Sequence, residues 1–261
     1  MTTTTSWSGS RTGAPRRISR SLSGFWRPTP QLKYLSIGGA TFAHTLRSLP
    51  DTLEFLELGR NAKQAQLPDS LRGLVCRNFI GPLSLLPRGL LRANITFPLH
   101  DHTRRFEDLP PGLRELSITN FSGSLDCLPA ALESLECNYG TNETVDNLPP
   151  GLKRLKLGRP FNRPLDHLPA GLTHLIVTSG YFDQSLMRLP QSLLVICLGE
   201  EFDSPIVLPP ALRQLRFASG SPFNLPLGEL PNTLELLELP KRYQQELSLP
   251  LPPNLRVKHP S

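Results

Sequence analysis

Eleven prolines spaced 18 to 23 residues apart along this chain are each followed three residues later by a leucine. The prolines are Pro50, Pro68, Pro87, Pro110, Pro129, Pro149, Pro169, Pro190, Pro209, Pro231 and Pro252. The leucines at position three are Leu53, Leu71, Leu90, Leu113, Leu132, Leu152, Leu172, Leu193, Leu212, Leu234 and Leu255. Position six holds Leu56, Leu74, Ala93, Leu116, Leu135, Leu155, Leu175, Ile196, Leu215 and Leu237, and then Lys258 in the last copy. Position eight holds Leu58, Cys76, Ile95, Ile118, Cys137, Leu157, Val177, Leu198, Phe217 and Leu239. A degenerate first copy at Leu32, Tyr34, Leu35 and Ile37 brings the number to about twelve. An apolar pattern that recurs at a period near twenty specifies a solenoid.

Positions six and eight share one face of an extended chain while five and seven point the other way, so each copy predicts one short strand with a buried face. The chain has 28 prolines, roughly twice the usual share. None falls in the strand windows from Pro50 through Pro231, where a missing N–H would break a ladder. Leu-Pro is expected to set an extended, polyproline-like approach to each strand. A second motif, Phe followed four residues later by Leu or Ile, is expected to fill the opposite wall. It stands at Phe79/Leu83, Phe121/Leu125, Phe161/Leu165, Phe182/Leu186, Phe202/Ile206 and Phe223/Leu227. One coil buries about five large apolar side chains at ~1.5–3 kcal/mol each, against ~1–2 kcal/mol of backbone ordering for each of about twenty residues. A lone coil is therefore unstable, and the copies must stack.

The element L-x-x-L-x-L resembles the leucine-rich repeat, and the accompanying F-N-x-P-[LI] resembles the FNIP repeat, a leucine-rich-like unit of roughly 22 residues. The second motif stands as Phe161-Asn162-Arg163-Pro164-Leu165, as Phe223-Asn224-Leu225-Pro226-Leu227 and, with Asp for Asn, as Phe202-Asp203-Ser204-Pro205-Ile206. Isoleucine at the third place is absent from all three. The resemblance covers about residues 29–255. It implies an interaction scaffold and brings no catalytic residues to carry over. The expected fold is a β-rich solenoid over residues 29–261, a leucine-rich-repeat-like right-handed coil of 11–12 repeats with one parallel sheet and an extended or short-turn return side.

Residues 1–28 form a separate segment, rich in Ser and Thr, with Arg11, Arg16, Arg17, Arg20 and Arg27 and no acid. The chain's net charge of +6 therefore falls to +1 over residues 29–261. A disordered basic arm is one reading of this tail. A mitochondrial-type presequence is another, because Ile18, Leu22 and Phe25 share a helical face opposite Arg16, Arg17 and Arg20. Arg16-Arg17-Ile18-Ser19 also has the form of a basophilic-kinase site. The tail lacks an apolar h-region, and no stretch approaches the ~18–20 apolar residues of a membrane span, so a cytoplasmic, intracellular monomer is expected. The four cysteines form no C-x-x-C motif, which predicts reduced thiols, and leaves the sequons at Asn94, Asn120 and Asn142 idle.

The outward side of the sheet, at positions four, five, seven and nine, is where a solenoid meets its ligands. Charges alternate there between neighbouring coils, predicting pairs of Glu133 with Lys153, Glu136 with Lys156, Arg213 with Glu235 and Arg216 with Glu238. The alternation is interrupted at His174, Ile176, Leu194, Val195 and Cys197, an apolar island edged by Arg154 and Lys156 on one side and by Gln214 and Arg216 on the other. Apolar groups within a charged rim suit a protein partner, and these nine residues are the candidate binding site. A smaller candidate comprises Tyr34, Phe55 and Val75. Nucleic acid is not expected, because no continuous basic stripe with interleaved aromatics is present.

Motifs for hydrolase, phosphate-loop, zincin and dinucleotide chemistry are absent. No catalysis, cofactor or small-molecule ligand is expected. The one conceivable dyad, His174 with Cys197, has no acid to orient the imidazole. The loop His100-Asp101-His102-Thr103-Arg104-Arg105 offers two imidazoles and a carboxylate, short of the four ligands of a structural metal site. At the C-terminus, the charges and proline of Leu255-Arg256-Val257-Lys258-His259-Pro260 are expected to blunt an open sheet edge.

Overall fold

Every proline of the series opens a turn. In all eleven copies the position-three leucine donates its N–H to the carbonyl of the proline at position zero, at 2.9–3.2 Å. The expected straight approach to the strand is therefore replaced by a four-residue turn, which needs no N–H from its first residue. The turn swings the leucine inward, and from Leu53 to Leu234 all ten of these side chains have 0% exposure. The computed structural model describes residues 31–37, 49–59, 66–98 and 106–259. The basic tail, with its proposed targeting and kinase motifs, and the loop at 100–105 lie outside the described residues.

After each turn comes a strand of three to six residues: β1 Tyr34–Ile37, β2 Phe55–Leu58, β3 Gly73–Arg77, β4 Arg92–Thr96, β5 Glu115–Thr119 and β6 Ser134–Tyr139, followed by β7 Arg154–Arg159, β8 His174–Val177, β9 Val195–Leu198, β10 Gln214–Phe217, β11 Leu236–Glu238 and β12 Arg256–Lys258. They form one parallel sheet in sequence order. Positions six and eight face the core from β2 through β10, and five and seven face outward. Position four holds the coils in step, its carbonyl accepting the N–H groups of both positions four and five of the next coil, as Lys153 does from Thr173 at 2.9 Å and His174 at 3.0 Å.

The last coil departs from the sequence register. Arg256 pairs with Leu236, Val257 with Leu237 and Lys258 with Glu238, so β12 runs one residue ahead of the count from Pro252. A charged group facing the core would lose its hydration. The one-residue slip turns Lys258 to the outward face instead, 3.7 Å from Glu238.

The opposite wall is a stack of rings. Phe161 and Phe182 lie with centroids 6.0 Å apart, Phe182 and Phe202 likewise, and Phe223 lies 5.7 Å from Phe202. All twelve side chains expected in that wall are buried. Sequence matching missed two copies of the motif. Thr141 and Val145, both 2% exposed, occupy the Phe and Leu places of the coil from Pro129, and Tyr243 takes the Phe place after Phe223, 6.1 Å from it. The residue that follows the ring forms a ladder of its own. Asn142 Oδ1 accepts the Asn162 N–H at 2.8 Å, Asn162 Oδ1 the Asp183 N–H at 3.1 Å, Asp183 Oδ1 the Asp203 N–H at 2.9 Å, and Asn224 Oδ1 the Gln244 N–H at 2.8 Å. Among the described residues the return side is extended or turned, with 3-10 turns at Leu83–Leu85 and Phe106–Asp108 and no α-helix.

Candidate functional site

The outward face is built by β-strand alternation: because positions six and eight are held in the core, positions five and seven of every strand must stand on the other side. Ion pairs link neighbouring coils along it. Lys33 reaches Glu54 at 2.8 Å, Arg92 reaches Glu115 at 3.3 Å, Arg213 reaches Glu235 at 3.3 Å and Arg216 reaches Glu238 at 3.8 Å. Lys156 stands 4.0 Å from Glu136. One expected pair forms differently: Glu133 pairs with Arg114 at 3.1 Å, while Lys153 Nζ donates to the Gly171 carbonyl at 3.3 Å. The pairs are exposed and individually weak, and their regular use of adjacent coils supports the register that the backbone already sets.

The island lies between β7 and β10, a stretch that these ion pairs do not cross. The register aligns Arg154, His174, Val195 and Gln214 in one row and Lys156, Ile176, Cys197 and Arg216 in the next. Leu194 lies beside Val195 at position four. His174, Ile176, Leu194, Val195 and Cys197 are all half-buried, each partly covered by its neighbours in the row. The structure thus brings the predicted residues into one patch two coils wide. Arg216 at its border is engaged, donating from its NH2 group to Gln214 Oε1 at 2.9 Å. The smaller candidate closes on itself. Phe55 lies flat over Gly73, where a Cβ would fall 2.6 Å from the ring, and stacks on Tyr34 at 4.6 Å and 5°.

The electrostatics of the island are those of a quiet surface. Burial, with Arg154 second, holds the His174 imidazole below its ordinary 6.5, and its Nδ1 lies 2.9 Å from Thr173 Oγ1. Burial likewise pushes the Cys197 thiol up, against a smaller opposing effect of Arg216. A raised thiol is a poor nucleophile at neutral pH, so the two groups form no activated pair. Cys76 and Cys137 are core thiols pushed up by burial to about 11 and about 12, and Cys127 is exposed. Among the described residues no three His, Cys, Asp or Glu side chains group to hold a metal, and no helix is long and apolar enough to cross a membrane.

Two sequon asparagines have structural roles. Asn142 belongs to the ladder described above, and Asn120, in the left-handed conformation at φ 60°, donates to the Phe97 carbonyl at 3.2 Å. Sequence reasoning missed two exposed aromatic residues, Tyr139 at the end of β6 and Tyr181 in the turn after β8. They are 52% and 58% exposed and flank Arg159, whose guanidinium lies 5.6 Å from the Tyr181 ring. The only signal available was that each tyrosine falls past position eight, outside the repeated pattern.

The ring wall and its amide ladder give the coil around Phe161 its character. Residues 143–179 match the family model of the FNIP Repeat. That FNIP match spans β7 and β8, the basic edge of the island and its first apolar strand. Solved structures resemble the chain over most of its length. CroV588, a circular LRR protein, is 25% identical with a TM-score of 0.65, covering 87% of this chain and 43% of its own. YopM from Yersinia enterocolitica WA-314 is 24% identical with a TM-score of 0.51, covering 82% of this chain and 52% of its own. YopM of Yersinia pestis, a leucine-rich effector protein, is 21% identical with a TM-score of 0.56, covering 87% and 72%. The chain thus spans about half the length of the first two structures it resembles. No curated protein matches in sequence. The fold is a leucine-rich-repeat-like parallel β-solenoid carrying FNIP repeat sequence.

Proposed function

We propose that residues 29–261 are a non-catalytic scaffold that binds a protein partner on the outward face of the sheet, centred on His174, Ile176, Leu194, Val195 and Cys197. The observation that carries this reading is the break in the ion-pair ladder, where two coils present apolar side chains between Arg154 and Lys156 on one border and Gln214 and Arg216 on the other. Repeat folds of this kind commonly act as interaction surfaces, because stacked coils present one long face and leave little enclosed volume for chemistry. The unactivated His174 and Cys197 support a binding role over a catalytic one. Four free cysteines, two of them in the core, support a reducing, intracellular setting.

The test is proximity labelling and affinity capture with the full chain and with an Ile176→Glu/Val195→Glu double variant. Both positions face outward, so the variant is expected to keep the wild-type far-UV circular dichroism while losing the specific captured set. Capture that is unchanged with the fold intact would remove the island as the binding site.

A further inference from the structure

Two adjoining coils carry the largest charges of the array, with opposite signs: residues 129–148 hold Glu133, Glu136, Glu143 and Asp146 and no base, a net −4. Residues 149–168 carry Lys153, Arg154, Lys156, Arg159 and Arg163 against a single acid, Asp166, a net +4. Since residues 29–261 total +1, all the other coils together are −3. Elsewhere on the outward face Lys33, Arg92, Arg114, Arg213, Arg216 and Lys258 each stand within 4 Å of a carboxylate, while Arg72 donates to the Gly89 carbonyl at 2.9 Å and Arg256 has no carboxylate partner among the described residues. On the coil from Pro149, Lys156 reaches one only at 4.0 Å. Arg154 and Arg159 have none among the described residues. The Arg159 guanidinium is laid across Gly180, where a Cβ would fall 2.7 Å from it, and held against the exposed Tyr181 ring. Tyr139 stands opposite it in the register on the other side.

Arg154 and Lys156 directly adjoin the apolar island, Arg154 leading through His174 to Val195 and Lys156 to Ile176, while Arg159 stands at the end of β7, three residues beyond Lys156. Coils repeat at ~4.8 Å and an extended peptide rises ~3.3 Å per residue. A segment lying along the array therefore passes from the cations to Val195 in about two to four residues. We propose that this surface, resting on the scaffold reading above, takes an acidic linear segment of another protein, with carboxylates on Arg154 and Lys156 and apolar side chains a few residues away on Ile176 and Val195. Charge complementarity selects this occupant. The chain's own residues 1–28 carry five arginines and no acid and are repelled from the coil. A nucleic acid would satisfy the cations through its phosphates but leave the aliphatic half of the patch without a stacking partner.

Fluorescence anisotropy with the full chain tests this using four labelled probes. They are a peptide of about twelve residues with an Asp/Glu half and a Leu/Ile/Val half, the same peptide with Asn/Gln for the acids, the same with Lys for the acids, and an oligo(dT). The acidic peptide is expected to bind at least about tenfold tighter than either peptide control, with affinity falling as salt rises. Arg154→Gln/Lys156→Gln, two outward-facing substitutions that keep the fold, should weaken it about tenfold, and the remote Lys33→Gln should leave it unchanged. Equal, salt-insensitive binding of the Asn/Gln peptide overturns the acidic assignment while leaving the scaffold standing. Preferred binding of oligo(dT), or of no probe, overturns it as well. Failure of the scaffold reading is separately visible, as partner capture that survives Ile176→Glu/Val195→Glu.

Discussion

Asn162 accepts two hydrogen bonds through one atom, from the Asp183 N–H at 3.1 Å and from Gln184 Nε2 at 3.0 Å. Only an acceptor oxygen is used, which is why Asp183 serves in the same place in the next coil and why the motif tolerates Asp for Asn. Asn162→Asp is therefore expected to melt close to wild type. Asn162→Leu, which leaves the next coil's amide unpaired, should cost about 0.5–1.5 kcal/mol in urea denaturation. His174 gives a pH dependence with a definite sign. Its folded pKa lies below 6.5, chiefly through burial and secondarily through Arg154, so just below pH 6.5 the unfolded chain takes up a proton that the folded chain refuses. Stability from this group is complete above 6.5 and declines as pH falls towards the depressed folded value. An NMR titration should place the His174 midpoint below 6.5. Arg154→Gln should raise it only in part, since the larger cause remains.

At the scale of the strand and its turn, the backbone spacing decides which small residues are required. A Cβ on Gly158 would fall 2.1 Å from the Asn138 carbonyl oxygen, where β6 bulges and Ile118 pairs with Cys137 but Thr119 with Tyr139. One on Gly112 meets nothing within 4 Å. Gly158→Ala is expected to lower the melting temperature by several degrees and Gly112→Ala to leave it nearly unchanged, measured by calorimetry. This distinction was invisible in the sequence, where both are glycines beside repeat leucines. The leucine rows were legible because one apolar side chain per position recurs in nearly every copy. Thr141 and Tyr243 were not, because stacking fixes the place of a side chain in the wall while allowing its chemistry to vary. The turn at each proline was also hidden, since Pro-x-x-Leu suits either a turn or an extended lead. For β12, Pro252 and Leu255 kept the pattern and misled the count. The core's refusal of Lys258 set the register instead. That the outward candidates share one face follows from alternation alone, whereas the orientation of Arg159 over Gly180 required the third dimension.

Across the whole molecule, each coil touches only the coils before and after it, so stability is a chain of nearest-neighbour contacts with no single centre. The contacts are uneven. Leu175, Ile196 and Leu215 have no exposure, and their rings on the far wall are stacked, while all three side chains of β12 are exposed. Amide exchange should accordingly be slowest in β8 to β10 and fastest in β12. Phe182 is the link most able to divide the array, for it sits 6.0 Å from both Phe161 and Phe202 and is fully buried. Phe182→Ala removes about 3–5 kcal/mol from one position, in an array whose single coils do not offset their own ordering cost and depend on stacking. Loss there uncouples the coils ending in β7 from those beginning at β9. The expected result is a broadened urea transition with a reduced m-value, and exchange protection that fails first between Thr173 and Leu189 while strands on both sides retain it. A sharp transition with the wild-type m-value and a lower midpoint would instead mean that the coils unfold as one body, and nearest-neighbour coupling strong enough to survive the loss of a ring would have to come from the sheet.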